Sequence, residues 1–166
     1  MSSALTLYRD GVRAEWVDYN GHLRDAYYLL LFSYAADALI DAIGLDAAER
    51  ARSRRSIYTL EVHLNYLAEL KQGEAVRVDG QLIDHDSKRL HVYFSLHRGD
   101  AAEPVAASEQ MLLHVDTAQS RATPFGAAVL ARVEALAAAH AALPHPAYAG
   151  RVIGLSRRPG SPPGRS

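Results

Sequence analysis

Residues 17–28 read VDYNGHLRDAYY, and residues 29–44 continue as LLLFSYAADALIDAIG. The first stretch packs two acids, an Asn, a Gly, a His and an Arg into one short turn. The second is among the most apolar segments of the chain. Asp18 and Asn20 are residue types that close turns through their own side chains. Gly21 lets the backbone bend tightly and approach a ligand. Asp25 is placed to cap a helix, because its carboxylate can accept the unpaired N–H groups of the next turn. The helix is expected to run to Ile43, with Gly44 as the residue that stops it. Its polar positions, Ser33, Asp37 and Asp41, recur every four residues with Tyr34 beside them, which makes one narrow stripe. A helix apolar on every other face must be buried on nearly every face. Something has to wrap it.

The rest of the chain supplies the wrapper. In residues 56–67, SIYTLEVHLNYL, the residues Tyr58, Leu60, Val62, Leu64 and Tyr66 alternate with Ile57, Thr59, Glu61, His63 and Asn65. Period two over such a run marks a strand with one buried face. AVRVDGQLI repeats the pattern with Val76, Val78 and Leu82, and RLHVYFSLH repeats it with Leu90, Val92, Phe94 and Leu96. VAASEQMLLHV is a fourth such strand, in which Glu109 shares a face with Val105, Ala107, Met111 and Leu113 and so needs a partner. The links KQGE, DHDSK and RGDAAEP are short and predict antiparallel neighbours in a meander. An opening strand is expected over Leu5–Trp16, with a turn at Asp10–Gly11. A second helix is expected over Thr123–Leu143, ahead of Pro144. The economical packing is one long helix in one curved antiparallel sheet of about five strands, plus a C-terminal helix, an α+β arrangement. Residues 1–145 read as one domain and residues 146–166 as a flexible tail rich in Pro, Gly, Ser and Arg.

Composition removes several functions. The chain has 166 residues, no cysteine and a net charge of −1. Disulfides, thiolate metal sites and cysteine nucleophiles are therefore excluded, and a cytoplasmic setting is expected. The near-zero charge argues against a nucleic-acid partner. The apolar helix is short for a membrane span and carries Asp37 and Asp41, so no membrane is expected either. Histidines are scattered without an HxH or HExxH pattern, so no metal site is expected.

A strand, then DYNGHLRDAYY opening a buried helix, then four strands resembles the hotdog-fold acyl-CoA thioesterases of the 4-hydroxybenzoyl-CoA thioesterase type. The resemblance covers roughly Leu5 to Asp116. The family pattern falls on Asp18, Gly21, His22 and Tyr28. The segments SIYTLEVHLNYL, HDSKRLHVYFSL and ASEQMLLHVD are similar to the betainyl-CoA thioesterases of bacterial carnitine breakdown. Many family members have two consecutive Asn where this chain has Arg24 and Asp25. The resemblance implies the hotdog fold and hydrolysis of a small acyl-CoA thioester without a cofactor. It gives Asp18 the catalytic carboxylate, as general base or nucleophile, with His22 and Asn20 beside it. Gly21, Asp25 and Ala26 are the candidate backbone donors for a developing oxyanion, and Trp16, Tyr19, Tyr27 and Tyr28 the candidate acyl pocket. Arg54, Arg55, Lys88 and Arg89 are weak candidates for the CoA phosphates. The resemblance also implies a homodimer or homotetramer paired edge to edge. Two rivals are a hotdog hydratase, whose usual Pro is replaced here by Gly21, and a non-catalytic acyl-CoA binder.

Glu61 and His63 read as a solvated strand face, ERARSRR as a solvated loop. Asp37, Asp41 and Glu109 are the acids considered as attractors of a quaternary ammonium.

Overall fold

The structure, a computed structural model, describes residues 3–155. It begins with a strand, β1 (Leu5–Gly11). The expected turn at Asp10–Gly11 does not form. Both residues stay in the ladder against Val76 and Ala75, and the chain bends later, through a single 3-10 turn at Ala14–Trp16. The long helix α1 (Asp25–Ala42) follows. A short helix α2 (Ala47–Ser53) stands where a solvated loop was expected. Asp46 starts it by accepting the Glu49 N–H at 2.9 Å, and Arg54, in the left-handed region at φ 54°, ends it.

Four long strands come next: β2 (Arg55–Tyr66), β3 (Ala75–His85), β4 (Arg89–Arg98) and β5 (Pro104–Asp116). A two-residue strand β6 (Arg121–Ala122) and helix α3 (Ala127–His140) close the described fold. Helix α3 is shorter than the expected span, because Pro124 and Gly126 hold the chain extended before it.

The sheet is antiparallel in the order β1-β3-β4-β5-β2, with β6 beside the end of β5. The expected meander is therefore corrected at one link. β2 does not pair with β3, because β1 takes that edge, and β2 crosses to the far side of β5. Residues 67–74 make the crossing rather than a hairpin. They run beneath the start of α1, where Leu70 is fully buried and its carbonyl accepts the Leu23 N–H at 2.8 Å.

The inner face of the sheet holds α1. Phe32 stacks on Phe94 with ring centres 6.3 Å apart, and Leu31, Ala35, Leu39, Val78, Leu90, Val92 and Leu96 are buried around them. Gly80 is required at its position, since a Cβ there would lie 2.4 Å from Leu7 and 3.3 Å from the Phe94 ring. The helix is covered on one side only. Leu29, Ser33, Asp37 and Asp41 are exposed in a line, and Tyr27, Leu30 and Tyr34 are half-buried.

The edge strand β2 is the least covered part of the sheet. Tyr58, Leu60, Val62 and Tyr66 are 52%, 56%, 38% and 52% exposed, so the face read as buried is open over most of its length. A bulge between Thr59 and Glu61 also breaks the strict alternation there.

Candidate functional site

The turn that opens α1 is stitched from within and from below. Val17 pairs with Leu23, and the Asp18 N–H donates to the His22 carbonyl at 2.8 Å. Gly21, at φ 76°, lets the chain reverse. Asp18 Oδ1 accepts the Asn20 N–H at 2.8 Å and the His22 N–H at 3.1 Å. The His22 and Asn20 N–H groups hold the Asp18 carboxyl below the usual carboxylate range. Both bonds land on Oδ1, so the turn does not engage Oδ2. The crossing segment fixes the turn as a unit: His22 pairs with Lys71, and the Gln72 N–H donates to the Gly21 carbonyl.

Asp25 is the first helical residue rather than the cap; Arg24 occupies the cap position. The Asp25 carboxylate accepts the Ala26 N–H at 2.9 Å. The Gly21 N–H donates to the Asp18 carbonyl at 3.0 Å. Two of the three candidate oxyanion donors, Gly21 and Ala26, are thus engaged inside the protein. The third, the Asp25 N–H, belongs to the set that a helix start leaves without an intrahelical partner. An acid at this end of the helix complements the partial positive charge of its dipole.

The aromatic residues flanking the motif do not form one pocket. Tyr19 sits at the tip of the turn, 93% exposed. Trp16 is buried, stacked on Tyr27 at 6.0 Å, with the Arg13 guanidinium 4.6 Å above its ring. Only Tyr28 faces the cavity at the helix start. That cavity holds about 320 Å³ and is lined by Leu23, Asp25, Tyr28, Tyr66, Ala68 and Glu69. Tyr66 meets Tyr28 edge-on, with centroids 5.2 Å apart and planes at 83°. Their hydroxyls donate to backbone carbonyls, Tyr28 to Ala68 and Tyr66 to Asp25, each at 3.1 Å. Burial raises the pKa of both phenols, so both are neutral hydroxyls at pH 7. His22 Nε2 lies 3.4 Å from Glu69 Oε2, at the cavity rim. Asn20 contributes its backbone N–H to the turn. Tyr66 and Glu69 escaped the sequence reading. The only signal for them is that the alternating strand ends in NYLAEL, just where the crossing segment meets the turn.

A second hollow, of about 330 Å³, lies on the outer face of the sheet and includes Glu61, His63, His91, Glu109, Met111 and Gly150. None of its residues belongs to the turn. It explains Glu109, which the pleat places outside with Ala107, Met111 and Leu113 while Ala106, Leu112 and His114 turn inward. Glu109 Oε1 meets His91 Nε2 at 2.7 Å, and Oε2 accepts the Gly150 N–H at 2.7 Å. Burial works to raise its pKa, but the Gly150 N–H and His91 bring it below the usual range. The segment expected to be a tail from 146 therefore starts against the sheet, and residues 156–166 lie outside the described part of the chain. His140 Nδ1 accepts the Leu82 N–H at 2.9 Å, and the Gln81 side chain donates to the Pro144 carbonyl at 3.3 Å.

The basic candidates gather at the opposite end of β2 from the cavity. Arg55 begins β2 and pairs with Asp116. Arg89 is paired with Asp86 at 2.6 Å, and the Lys88 carbonyl accepts the His114 N–H. Arg54 is exposed at the end of α2. About 35 Å of strand separates Arg55 from Tyr66. Among the described residues, no group of three or more His, Asp or Glu side chains is arranged to hold a metal. No single described helix is long and apolar enough to cross a membrane.

The family model of the thioesterase-like superfamily matches residues 12–133. The chain is 57% identical to a betainyl-CoA thioesterase of Pseudomonas aeruginosa, over 93% of this chain and 98% of that protein. A solved structure from Pseudomonas putida KT2440, named as a candidate thioesterase, superposes with a TM-score of 0.81 at 51% identity, covering 93% of this chain and 99% of its own. The Staphylococcus aureus protein SAV2348, solved in complex with CoA, gives a TM-score of 0.85 at 25% identity, covering 92% and 97%.

Proposed function

This chain belongs to the thioesterase-like superfamily, and from that premise we propose that it hydrolyses betainyl-CoA, releasing glycine betaine and CoA. The observation that carries the substrate is the 57% identity to a betainyl-CoA thioesterase across nearly the whole of both chains. The geometry supports the chemistry. Asp18 Oδ2 is the reacting atom, either drawing a proton from water or attacking the thioester carbonyl. In the first case water adds to the carbonyl, the C–S bond breaks, and the proton taken by Asp18 returns to the departing thiolate. In the second Asp18 attacks the carbonyl carbon, the C–S bond breaks and CoA leaves as the thiolate; water then hydrolyses the mixed anhydride, regenerating the Asp18 carboxylate and supplying the proton that the thiolate takes up. Both need an ionised carboxylate, which the turn's N–H groups maintain. The Asp25 N–H, at the positive end of α1, is the donor for the oxyanion. A positioned carboxylate contributes roughly two to four orders of magnitude.

The working unit is a homodimer, or a pair of such dimers, in the cytoplasm, with neither nucleic acid nor membrane as partner. The long apolar edge of β2 favours pairing, because such an edge is left open only at the risk of aggregation. Two-fold antiparallel pairing of β2 edges would also bring Arg54 of the partner subunit and Arg55 of the partner subunit toward the Tyr66 end. Within one subunit the pantetheine arm, about four residue-equivalents long, reaches roughly 14 Å. That is far short of the Arg55–Tyr66 separation, which favours phosphate binding by the arginines of the second copy.

The test is a thiol-release assay on betainyl-CoA and on 3,3-dimethylbutyryl-CoA, which replaces the nitrogen with carbon at constant shape. A kcat/KM at least tenfold higher for betainyl-CoA supports the proposal. Parity would remove betainyl-CoA as the substrate. Sedimentation on the same preparation should give a dimer or larger, and an active monomer would contradict the interface.

A further inference from the structure

The chemistry of the substrate restricts where its cation can sit. In a betainyl thioester the quaternary nitrogen is two bonds from the reacting carbonyl carbon. The subsite for the cation must therefore touch the catalytic turn. Helix α1 rises about 1.5 Å per residue, which puts Asp37 about 18 Å and Asp41 about 24 Å beyond Asp25. Neither can attend the nitrogen. Glu109 lies on the outer face and is engaged by His91 and Gly150. The Trp16 ring is covered by Arg13, and Tyr19 points into solvent.

The cavity at the helix start meets the requirements. A quaternary ammonium donates no hydrogen bond, so it is held by aromatic rings and by the field of carboxylates. Tyr66 is half exposed, and its hydroxyl and that of Tyr28 are turned away to backbone carbonyls, which fixes both rings beside the cavity. Asp25 and Glu69 stand on the rim. Their charge has a second reason to be there. The N-terminus of α1 favours an oxyanion but repels a cation, and the substrate brings both within three bonds of each other. Carboxylates beside the helix start offset the repulsion, and the Asp25 carboxylate engages the Ala26 N–H while leaving the Asp25 N–H for the oxyanion. Glu69 also reaches His22, which ties this rim to the turn that carries Asp18.

We propose that the cavity bounded by Tyr28, Tyr66, Asp25 and Glu69 is a quaternary-ammonium subsite, with Tyr66 and Glu69 setting the preference for a charged acyl group. The assignment rests on the betainyl-CoA reading above.

The experiment measures kcat/KM for betainyl-CoA and for 3,3-dimethylbutyryl-CoA in the full-length oligomer and in Tyr66→Leu, Tyr66→Phe and Glu69→Gln. The quantity read is the ratio of the two substrates, so a general loss of fold or catalysis cancels. Tyr66→Leu and Glu69→Gln should each lower the ratio by roughly 2- to 30-fold, mainly through the KM for betainyl-CoA. Tyr66→Phe keeps the ring and should keep the wild-type ratio. A high wild-type ratio that survives both Tyr66→Leu and Glu69→Gln overturns the subsite and leaves the substrate in place. A wild-type ratio near one overturns the betainyl-CoA reading itself. Equal losses for both substrates also overturn the subsite, since they assign these residues to general catalysis or folding.

Discussion

Two polar clusters flank the sheet, and each holds a carboxylate by backbone N–H groups. At the start of α1, Asp18 accepts from Asn20 and His22, all within one turn. On the outer face, Glu109 accepts from Gly150, which is 41 residues away in sequence. The first arrangement is local and engages a single oxygen. The second uses both oxygens, one on Gly150 and one on His91, and closes the C-terminal segment onto the sheet. The same interaction thus closes a tight turn in one place and tethers a distant segment in the other. What separates them is whether an oxygen remains unengaged within the cluster.

The largest effect expected from this contrast is at Asp18. Asp18→Asn should lower steady-state kcat by two to four orders of magnitude while the melting temperature stays within about 2 °C, since the amide oxygen can still accept the turn's N–H groups. The reverse pattern is expected where α3 packs on the sheet. His140→Ala removes the buried acceptor of the Leu82 N–H, at a cost of about 1–3 kcal/mol. Thermal unfolding should then shift down by about 3–10 °C with kcat retained. A fall in kcat with no shift in melting would contradict a structural role for His140.

Their pH responses should also differ. Burial lowers the pKa of His97, His114 and His140, so the fold favours their neutral forms. The unfolded chain then binds more protons, and stability rises with pH. That contribution is complete above the ordinary histidine pKa of about 6.5 and is lost as pH falls through the depressed folded values. Asp18 titrates below the ordinary aspartate value of about 3.9. On descending pH, melting temperature should decline before Asp18 loses its charge. Melting curves and initial rates taken from pH 8 to 4 check this. An activity loss well above pH 5 at constant melting temperature would contradict it.

Most of the fold was legible, and the failures have specific causes. The motif turn, the buried helix and the strands all show in local pattern, because alternation and helical spacing are properties of neighbouring residues. Strand order is not local. KQGE reads as a hairpin link, but Leu70 is buried and pins the crossing segment under the turn, sending β2 to the far edge. The alternation in β2 suggested a buried face and instead marks an apolar edge that a single chain leaves open. Asp18 and Gly21 could be singled out as candidates because the turn is contiguous in sequence. Tyr66 and Glu69 could not be singled out, since only the tertiary crossing brings them beside Tyr28 and His22. Glu109 stood out as an acid among apolar neighbours, yet its partners lie on β4 and in the C-terminal segment, where pattern does not reach.

The central claim is that the Asp18 carboxylate acts on the thioester itself rather than on binding or folding. The most direct measurement is a single-turnover hydrolysis of betainyl-CoA with enzyme in excess, comparing wild type with Asp18→Asn and recording substrate affinity separately. The bond-breaking rate should fall at least 100-fold in the variant while the dissociation constant for betainyl-CoA changes by less than about threefold. Equal single-turnover rates, or a loss confined to affinity, would contradict the role given to Asp18.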